Sequence, residues 1–134
     1  MKRVMVFGTF DVLHPGHISF LKQAKKLGDY LIVSLARENN IRKIKGRAAR
    51  HSEAERKSML EAVKFVDKAV LGAREDYIGH ILAQKPNVIA LGYDQKAYTK
   101  ELKSKLAKAG LKKIMIVRMK SFKPRQYKSS NFLK

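Results

Sequence analysis

The sequence contains no cysteine. The chain therefore forms no disulfide, offers no thiolate to zinc and has no cysteine nucleophile, so any catalysis must use other groups. It also lacks a run of 18 uncharged apolar residues, which a membrane-spanning helix needs, and its first residues lead directly into a strand pattern rather than a signal peptide. We therefore expect a soluble, cytoplasmic protein.

Acidic residues are scarce. Eleven Asp and Glu stand against 30 Lys and Arg, which gives a formal net charge of +19. None follows Glu101, whereas basic residues continue to Lys134. A surface of this sign favours nucleotides, phosphorylated substrates or polyanions as partners, although a lysine-rich solvated surface has the same composition. Charge alone therefore does not distinguish a nucleotide from a nucleic acid.

Residues 1–134, 45% of them apolar, suit a single domain with one sizeable core. Short, nearly continuous β-branched runs alternate with helical patterns, and such runs are typical of strands buried on both faces. We predict an α/β fold, a Rossmann-like, doubly wound, mostly parallel five-stranded sheet with helices on both faces. The predicted strands lie at 4–7, 30–36, 65–72, 88–92 and 113–119, and the predicted helices at 16–27, 53–63, 77–84 and 97–109.

Turn and capping residues support these boundaries. Residues 37–51 and 120–134 fit neither period, so we interpret the first as a long connection and the second as a functional loop with a short terminus. The boundary signals are Gly28 after the first helix, the capping box of Ser52 and Glu55, and Pro86 and Gly110 after the later helices.

Residues 8–17, GTFDVLHPGH, join the first strand to the first helix. A proline suits the first helical turn, and the three-residue spacing puts His14 and His17 on one face of it. They flank backbone N–H groups that have no intrahelical partner, at the positive end of the helix dipole. Gly8 and Gly16 allow a phosphate to approach the backbone. We therefore predict an anion site beyond the carboxyl ends of the strands, where such folds bind ligands at a switch in strand order.

Two other interpretations of the histidine pair remain open. Histidines in the first turn of a helix also occur as caps or surface residues. A metal is a further alternative, with Asp11, His51 or His80 as the third ligand, although no metalloprotease-like Glu lies between the two histidines.

The stretch GTFDVLHPGH resembles the signature of the HxGH nucleotidyltransferases, in their cytidylyltransferase-like branch. The similarity covers nearly the whole chain: residues 24–39 resemble the first helix and second strand, 43–60 a lysine-containing loop and the next helix, and 90–95 the segment after the fourth strand. Within the branch the sequence is most similar to the archaeal-type FAD synthetases. This likeness is based on HPGH, KGR at 45–47 and LGYDQ at 91–95 followed by a late Ser-Ser pair.

The end of the chain departs from the cytidylyltransferase pattern. That pattern closes on an Arg-containing RTxGISTT-like motif, whereas this chain has PRQYKSSNF at 124–132. The departure weakens the prediction of cytidylyl transfer and makes Arg125 only a candidate for the motif's arginine.

The resemblance implies in-line attack of a substrate phosphate on the α-phosphate of a nucleoside triphosphate, without a covalent enzyme intermediate. The expected reaction transfers AMP from ATP to FMN and gives FAD and pyrophosphate. A phosphate nucleophile is already ionised at neutral pH, so no general base is required. Alternatives are a cytidylyltransferase for glycerol 3-phosphate and an adenylyltransferase for a sugar phosphate. Outside enzymes, the alternative is a basic nucleic-acid-binding module, indicated by Phe122 and Tyr127 among basic residues, with base stacking on Tyr127.

Because a triphosphate normally arrives with a metal, we expect Mg²⁺ or another divalent cation as cofactor. The resemblance implies a homodimer, and the lack of long apolar runs predicts no membrane attachment. Asp11 is a possible metal ligand, or a cap of the first helix. Arg56 and Arg125 are possible phosphate contacts, although an ion pair with Glu53 at the surface is the simpler explanation for Arg56. The candidate catalytic residues are His14, His17 and Lys45, and the candidate nucleotide-binding residues are Gly8, Thr9, Phe10, His14, Pro15, Gly16, His17, Asp94, Ser129 and Ser130.

Overall fold

The computed structural model describes residues 1–38, 50–92, 99–111 and 113–119. Within these ranges strands and helices alternate, and each matches a predicted element to within three residues at either end. The strands are β1 (Arg3–Gly8), β2 (Tyr30–Leu35), β3 (Lys68–Leu71), β4 (Val88–Leu91) and β5 (Met115–Arg118), and the helices are α1 (Pro15–Lys25), α2 (Glu53–Glu61), α3 (Tyr77–Gln84) and α4 (Thr99–Lys108).

The five strands form one parallel sheet in the order β3-β2-β1-β4-β5. The chain builds outward from β1 through β2 to β3, then returns to the other side of β1 for β4 and β5. The strand order therefore reverses between β1 and β4, and α/β sheets bind ligands beyond the carboxyl ends of the strands at such a reversal. The helix that follows β1 begins at this place.

Each face of the sheet is covered by two of the described helices, which confirms the doubly wound prediction. Successive β1 residues point to opposite faces, as the two-residue period of a strand requires. On one face Val4 and Val6 pack with Leu21 of α1 and Leu60 of α2. On the other face the buried cluster consists of Met5, Ile32, Ile89 and Leu91 of the sheet, Ile81 of α3 and Leu106 of α4.

No helix in the described part of the chain is long and apolar enough to cross a membrane.

Two boundaries differ from the expectation. Strand β3 begins at Lys68, three residues later than predicted, because the Val66 N–H donates to the Val63 carbonyl at 3.0 Å and closes a turn. Gly28 does not take the left-handed helix-ending conformation, which among the described glycines occurs at Gly110. Instead, a Cβ at Gly28 would lie 2.6 Å from the Lys2 carbonyl oxygen, so the close approach of β1 requires glycine there.

The start of α2 is fixed by the predicted capping box. The Glu55 N–H donates to Ser52 Oγ at 3.1 Å, and the Ser52 N–H donates to Glu55 Oε1 at 3.0 Å. Both ends of the box therefore satisfy backbone donors that the helix leaves free. This cap sets the rotation and position of the residues that follow it on α2.

A buried polar pair connects β2 to α3. Ser34 is 3% exposed, and its Oγ lies 2.8 Å from His80 Nε2. Burial, and to a smaller extent the positive charge of Arg37, lowers the pKa of His80 below its ordinary value of 6.5. The folded protein therefore favours the neutral imidazole.

We expect the free energy of unfolding to fall as the pH is lowered below 6.5. Above that value both states hold a neutral His80, whereas below it the unfolded chain takes up a proton that the folded chain resists. Denaturant unfolding at a series of pH values measures this dependence. The free energy of unfolding should fall less steeply with decreasing pH in His80→Asn, which keeps a polar partner for Ser34. Ser34→Ala is the control, because it removes the hydrogen bond but leaves the buried imidazole. A wild-type slope in His80→Asn would assign the pH dependence to other groups.

Candidate active site

The first turn of α1 is built from the residues of the HPGH motif. Pro15 occupies the first helical position, and His14 is the extended N-cap residue before it. The Gly16 N–H donates to His14 Nδ1 at 3.1 Å. Because Nδ1 accepts this hydrogen bond, the neutral His14 ring carries its proton on Nε2. The predicted helix start is confirmed, and its cap sets the tautomer of one of the two histidines.

His14 and His17 lie against each other, as their spacing predicts. Their ring centroids are 3.8 Å apart and the rings are inclined by 24°. His14 is 7% exposed, and burial lowers its pKa below the ordinary 6.5. Two charged imidazoles in this contact would repel each other, which further favours a neutral His14. The pair therefore lies at the reversal of strand order without holding two positive charges.

Some backbone N–H groups in the first turn of α1 already have hydrogen-bond acceptors within the chain. The Gly16 N–H is taken by His14 Nδ1, Pro15 has no N–H, and the Ile18 N–H donates to the His14 carbonyl at 3.2 Å. The sequence pattern predicts backbone N–H groups without an intrahelical partner as anion donors. In the structure two of these N–H groups, on Gly16 and Ile18, already donate to His14.

Phe10 supports the histidine pair from the loop side. Its ring packs edge-on against His17, with centroids 5.2 Å apart. Its backbone has φ = 51°, a left-handed conformation that is costly for a residue with a bulky side chain. A Cβ at Gly8 would lie 2.5 Å from Phe10 Cε2, so a side chain at position 8 would displace the ring. The sequence pattern gives no sign of this packing reason.

Arg56 is fully buried, so the surface ion pair with Glu53 that the sequence suggests is wrong. Glu53 instead accepts the Glu38 N–H at 2.7 Å. A sequence signal for the burial does exist. Arg56 precedes Leu60 by four residues and Val63 by seven, and both of these pack in the core beneath α2.

The Arg56 guanidinium binds backbone carbonyls from three segments. Nη1 donates to the Thr9 carbonyl at 3.0 Å and to the Ala36 carbonyl at 2.8 Å, and Nε donates to the His51 carbonyl at 3.3 Å. Nη2 is buried and has no hydrogen-bond partner among the described residues. A buried positive charge therefore lies directly behind the loop that follows β1.

Asp11 does not cap α1, because His14 does. Its carboxylate is 7% exposed and accepts the Arg50 N–H at 2.7 Å and the His51 N–H at 2.8 Å. Burial raises the pKa of Asp11, but these two hydrogen bonds, with a smaller contribution from the His51 side chain, hold it below its ordinary value. Asp11 therefore stays ionised at neutral pH and joins the motif to the chain that enters α2.

The described residues do not form a metal site around the histidines. No group of three or more His, Asp or Glu side chains in this part of the chain is arranged to hold a metal ion. Of the suggested third ligands, Asp11 and His51 are hydrogen-bonded to each other, and His80 is paired with Ser34.

Several sequence-predicted site residues lie outside the described ranges. They are Lys45, Asp94, Arg125, Ser129 and Ser130. Gly8, Thr9, Phe10, Asp11, Pro15, Gly16 and Arg56 lie with the histidine pair in the loop, first turn and supporting helix described above.

Comparison with known proteins shows the family of this chain. The cytidylyltransferase-like family matches residues 5–134. The chain belongs to the cytidylyltransferase-like family. The FAD synthase of Ferroglobus placidus is 50% identical over 112 residues, 84% of this chain and 72% of that protein. The FAD synthase of Thermoplasma volcanium is 41% identical over 134 residues, 100% of this chain and 93% of that one.

Solved structures show the same fold. A lipopolysaccharide core biosynthesis protein from Thermoplasma volcanium superimposes with a TM-score of 0.86 at 43% identity, over 91% of this chain and 98% of that one. A pantoate-beta-alanine ligase from Francisella tularensis, complexed with beta-gamma ATP and beta-alanine, gives a TM-score of 0.62 at 18% identity, over 98% of this chain and 67% of that one. The second likeness concerns the fold alone. The sequence-based identification of a cytidylyltransferase-like nucleotidyltransferase with a Rossmann-like sheet is confirmed.

Replacing Arg56 by Lys should destabilise this family member markedly. A lysine keeps the charge but cannot reach the same three carbonyls, so at least two buried acceptors lose their donor, at about 2–4 kcal/mol in the free energy of unfolding. Arg50→Lys is the matched control, because Arg50 is exposed and its described contact uses the backbone N–H. Equal unfolding free energies for the two variants would show that the guanidinium does not hold these segments.

Proposed function

We propose that this protein is an FAD synthase, which transfers the adenylyl group of ATP to FMN and releases pyrophosphate. A phosphate oxygen of FMN attacks the α-phosphorus of ATP, and the bond from that phosphorus to the oxygen bridging to the β-phosphate breaks. The electron pair leaves with pyrophosphate, so no covalent enzyme intermediate is formed.

The stacked pair of His14 and His17 is the observation that carries this proposal. It lies at the first turn of α1, beside the reversal of strand order, in a chain that is 41–50% identical to several archaeal FAD synthases. Such a reaction needs two anions to be positioned and the developing negative charge to be stabilised. Imidazole N–H groups fixed before the substrate arrives supply that stabilisation without reorganisation.

The residues of the motif divide this work. His14, with its proton on Nε2, donates to a phosphate oxygen, and His17 donates beside it. Thr9 and Phe10 line the triphosphate through backbone and hydroxyl groups. Lys45 is proposed to add a positive charge to the triphosphate, and Asp94, Ser129 and Ser130 to contact the nucleotide. Arg56 contributes the field of a buried cation from behind the loop, because Nη1 and Nε donate to carbonyl oxygens and Nη2 is buried.

A divalent cation, Mg²⁺ in the first place, is proposed to enter with ATP. The described residues offer no cluster of ligands for it, and Asp11 already accepts two backbone N–H groups. This arrangement suits Mg²⁺, which keeps most of its water and is held mainly by substrate phosphates. The only role that we assign to the cation is to neutralise the charge of the triphosphate. Homodimer formation, which the resemblance implies, stays a proposal that sedimentation at micromolar concentration tests.

A sugar-phosphate adenylyltransferase is the second candidate. The solved structure with a TM-score of 0.86 and 43% identity is described as a lipopolysaccharide core biosynthesis protein, and such cores are made of sugars. The chemistry at the histidine pair is the same for either acceptor. The acceptor therefore has to be decided by substrate choice.

A substrate panel should decide it. We expect ATP with FMN and Mg²⁺ to give FAD and pyrophosphate, and to exceed every combination of ATP or CTP with glycerol 3-phosphate, pantetheine phosphate and sugar phosphates. The measurements are pyrophosphate release and the mass of the product. A chelator of divalent cations should abolish the formation of both products. Faster turnover of ATP with a sugar phosphate would transfer the assignment to the second candidate. Salt-sensitive oligonucleotide binding without any turnover would favour a nucleic-acid-binding module instead.

His14→Ala and His17→Ala should each lower kcat by about 10²- to 10³-fold, because each removes one preorganised donor to the developing charge. His14→Ala should also cost about 1 kcal/mol in the free energy of unfolding, because His14 caps α1. His17→Asn keeps a donor and should recover part of the rate. His80→Asn is the histidine control outside the motif. Near-normal turnover in both alanine variants would exclude the pair from the reaction.

A further inference from the structure

Phe10 holds a strained backbone at the site, and strain of this kind persists only where the surroundings impose it. On its amino side, the Thr9 carbonyl accepts a hydrogen bond from Arg56 at 3.0 Å. On its carboxyl side, Asp11 is held by the Arg50 and His51 N–H groups. The strained residue is therefore anchored on both sides.

The Asp11 anchor connects distant parts of the chain. Its two backbone donors lie 39 and 40 residues further along the sequence. A third hydrogen bond joins the same residues, because His51 Nδ1 lies 2.6 Å from the Asp11 carbonyl oxygen. A carbonyl oxygen can only accept, so His51 carries its proton on Nδ1 and donates. Asp11 is thus held through its main chain as well as its side chain.

The conformation of Phe10 in turn places its ring. That ring fills the space above Gly8 and contacts His17 edge-on. A change in the Phe10 backbone would swing the ring and remove the support on one side of His17. The other side of His17 is covered by the stacked ring of His14.

We propose that Asp11 is a positioning residue for His17, which acts through the backbone and ring of Phe10. This role differs from the metal ligand and from the helix cap that the sequence allows. The carboxylate does not touch the substrate. It keeps the motif loop in the one conformation in which Phe10 supports the His17 ring.

The first test measures His17 directly and does not depend on the proposed function. The chain has only four histidines, so their imidazole resonances can be assigned with single variants. Asp11→Asn keeps the size of the side chain but offers one acceptor oxygen instead of two. We expect it to shift or broaden the His17 resonances.

Asp29→Asn is the matched control. Asp29 also accepts a long-range backbone N–H, from Lys2 at 2.8 Å, but at the start of β1, away from the motif. It should leave the His17 resonances at their wild-type positions. Unchanged His17 resonances in Asp11→Asn would overturn the proposal. If Asp11→Asn does not fold, Asp11→Glu carries the same test, because it keeps the charge and displaces the acceptors by one methylene.

The second test rests on the proposed function and uses a double-mutant cycle. Asp11→Asn should lower kcat about tenfold in the wild-type background, as expected for a misplaced catalytic group. In the His17→Ala background it should lower kcat by less than about twofold, because the group it positions is already absent. The same factor in both backgrounds would show that Asp11 acts independently of His17 and would overturn the proposal.

The dependence of activity on Mg²⁺ concentration distinguishes a positioning role of Asp11 from a role as metal ligand. A positioning residue leaves the Mg²⁺ concentration for half-maximal activity unchanged, and this is the expected result for Asp11→Asn. A raised Mg²⁺ requirement would make Asp11 a metal ligand and overturn the proposal. Absence of turnover in the wild-type protein would refute the proposed function, and the resonance test would then still decide the role of Asp11.

Discussion

A single buried guanidinium joins the pieces from which the site is made. Arg56 binds carbonyl oxygens of Thr9 after β1, Ala36 after β2 and His51 before α2. Burying a positive charge is costly, and hydrogen bonds to several carbonyls offset only part of that cost. The loop conformation, the support of the histidine pair and the entry into α2 all depend on this one side chain. The same charge makes the loop electrostatically favourable for an anion.

The opposite charge in the loop completes this arrangement. Asp11 is ionised and buried, and its oxygens accept two backbone N–H groups. The loop after β1 is therefore held at two places: its Thr9 carbonyl accepts from Arg56, and its Asp11 carboxylate accepts from the Arg50 and His51 N–H groups before α2. The strain at Phe10 is the cost of this double anchoring. For the proposed reaction, this arrangement fixes the imidazoles before the substrate arrives, as effective electrostatic stabilisation requires.

Much of the fold is predictable because its signals are local. The β-branched runs mark strands buried on both faces, and Ser52 with Glu55 marks the start of α2 within the chain itself. The place of His14 and His17 on one face follows from helical spacing alone, and the structure stacks them. Arg56 shows the limit of this reasoning. Its spacing from Leu60 places it on the buried face, but the type of side chain favours the surface, and only the three carbonyl partners resolve the conflict.

The sequence by itself determined the succession of strands and helices along the chain, the parallel doubly wound class and the helix start at the histidine pair. Each of these depends on periodicity or on neighbours within a few residues. The tertiary structure alone decided which ring nitrogen of His14 carries the proton, which ring packs over Gly8 and what Asp11 binds. These features depend on burial or on contacts that the local pattern does not reveal, and for Asp11 the partners lie 39 and 40 residues away. No local pattern encodes such a contact, because it exists only once β1, β2 and α2 have packed together.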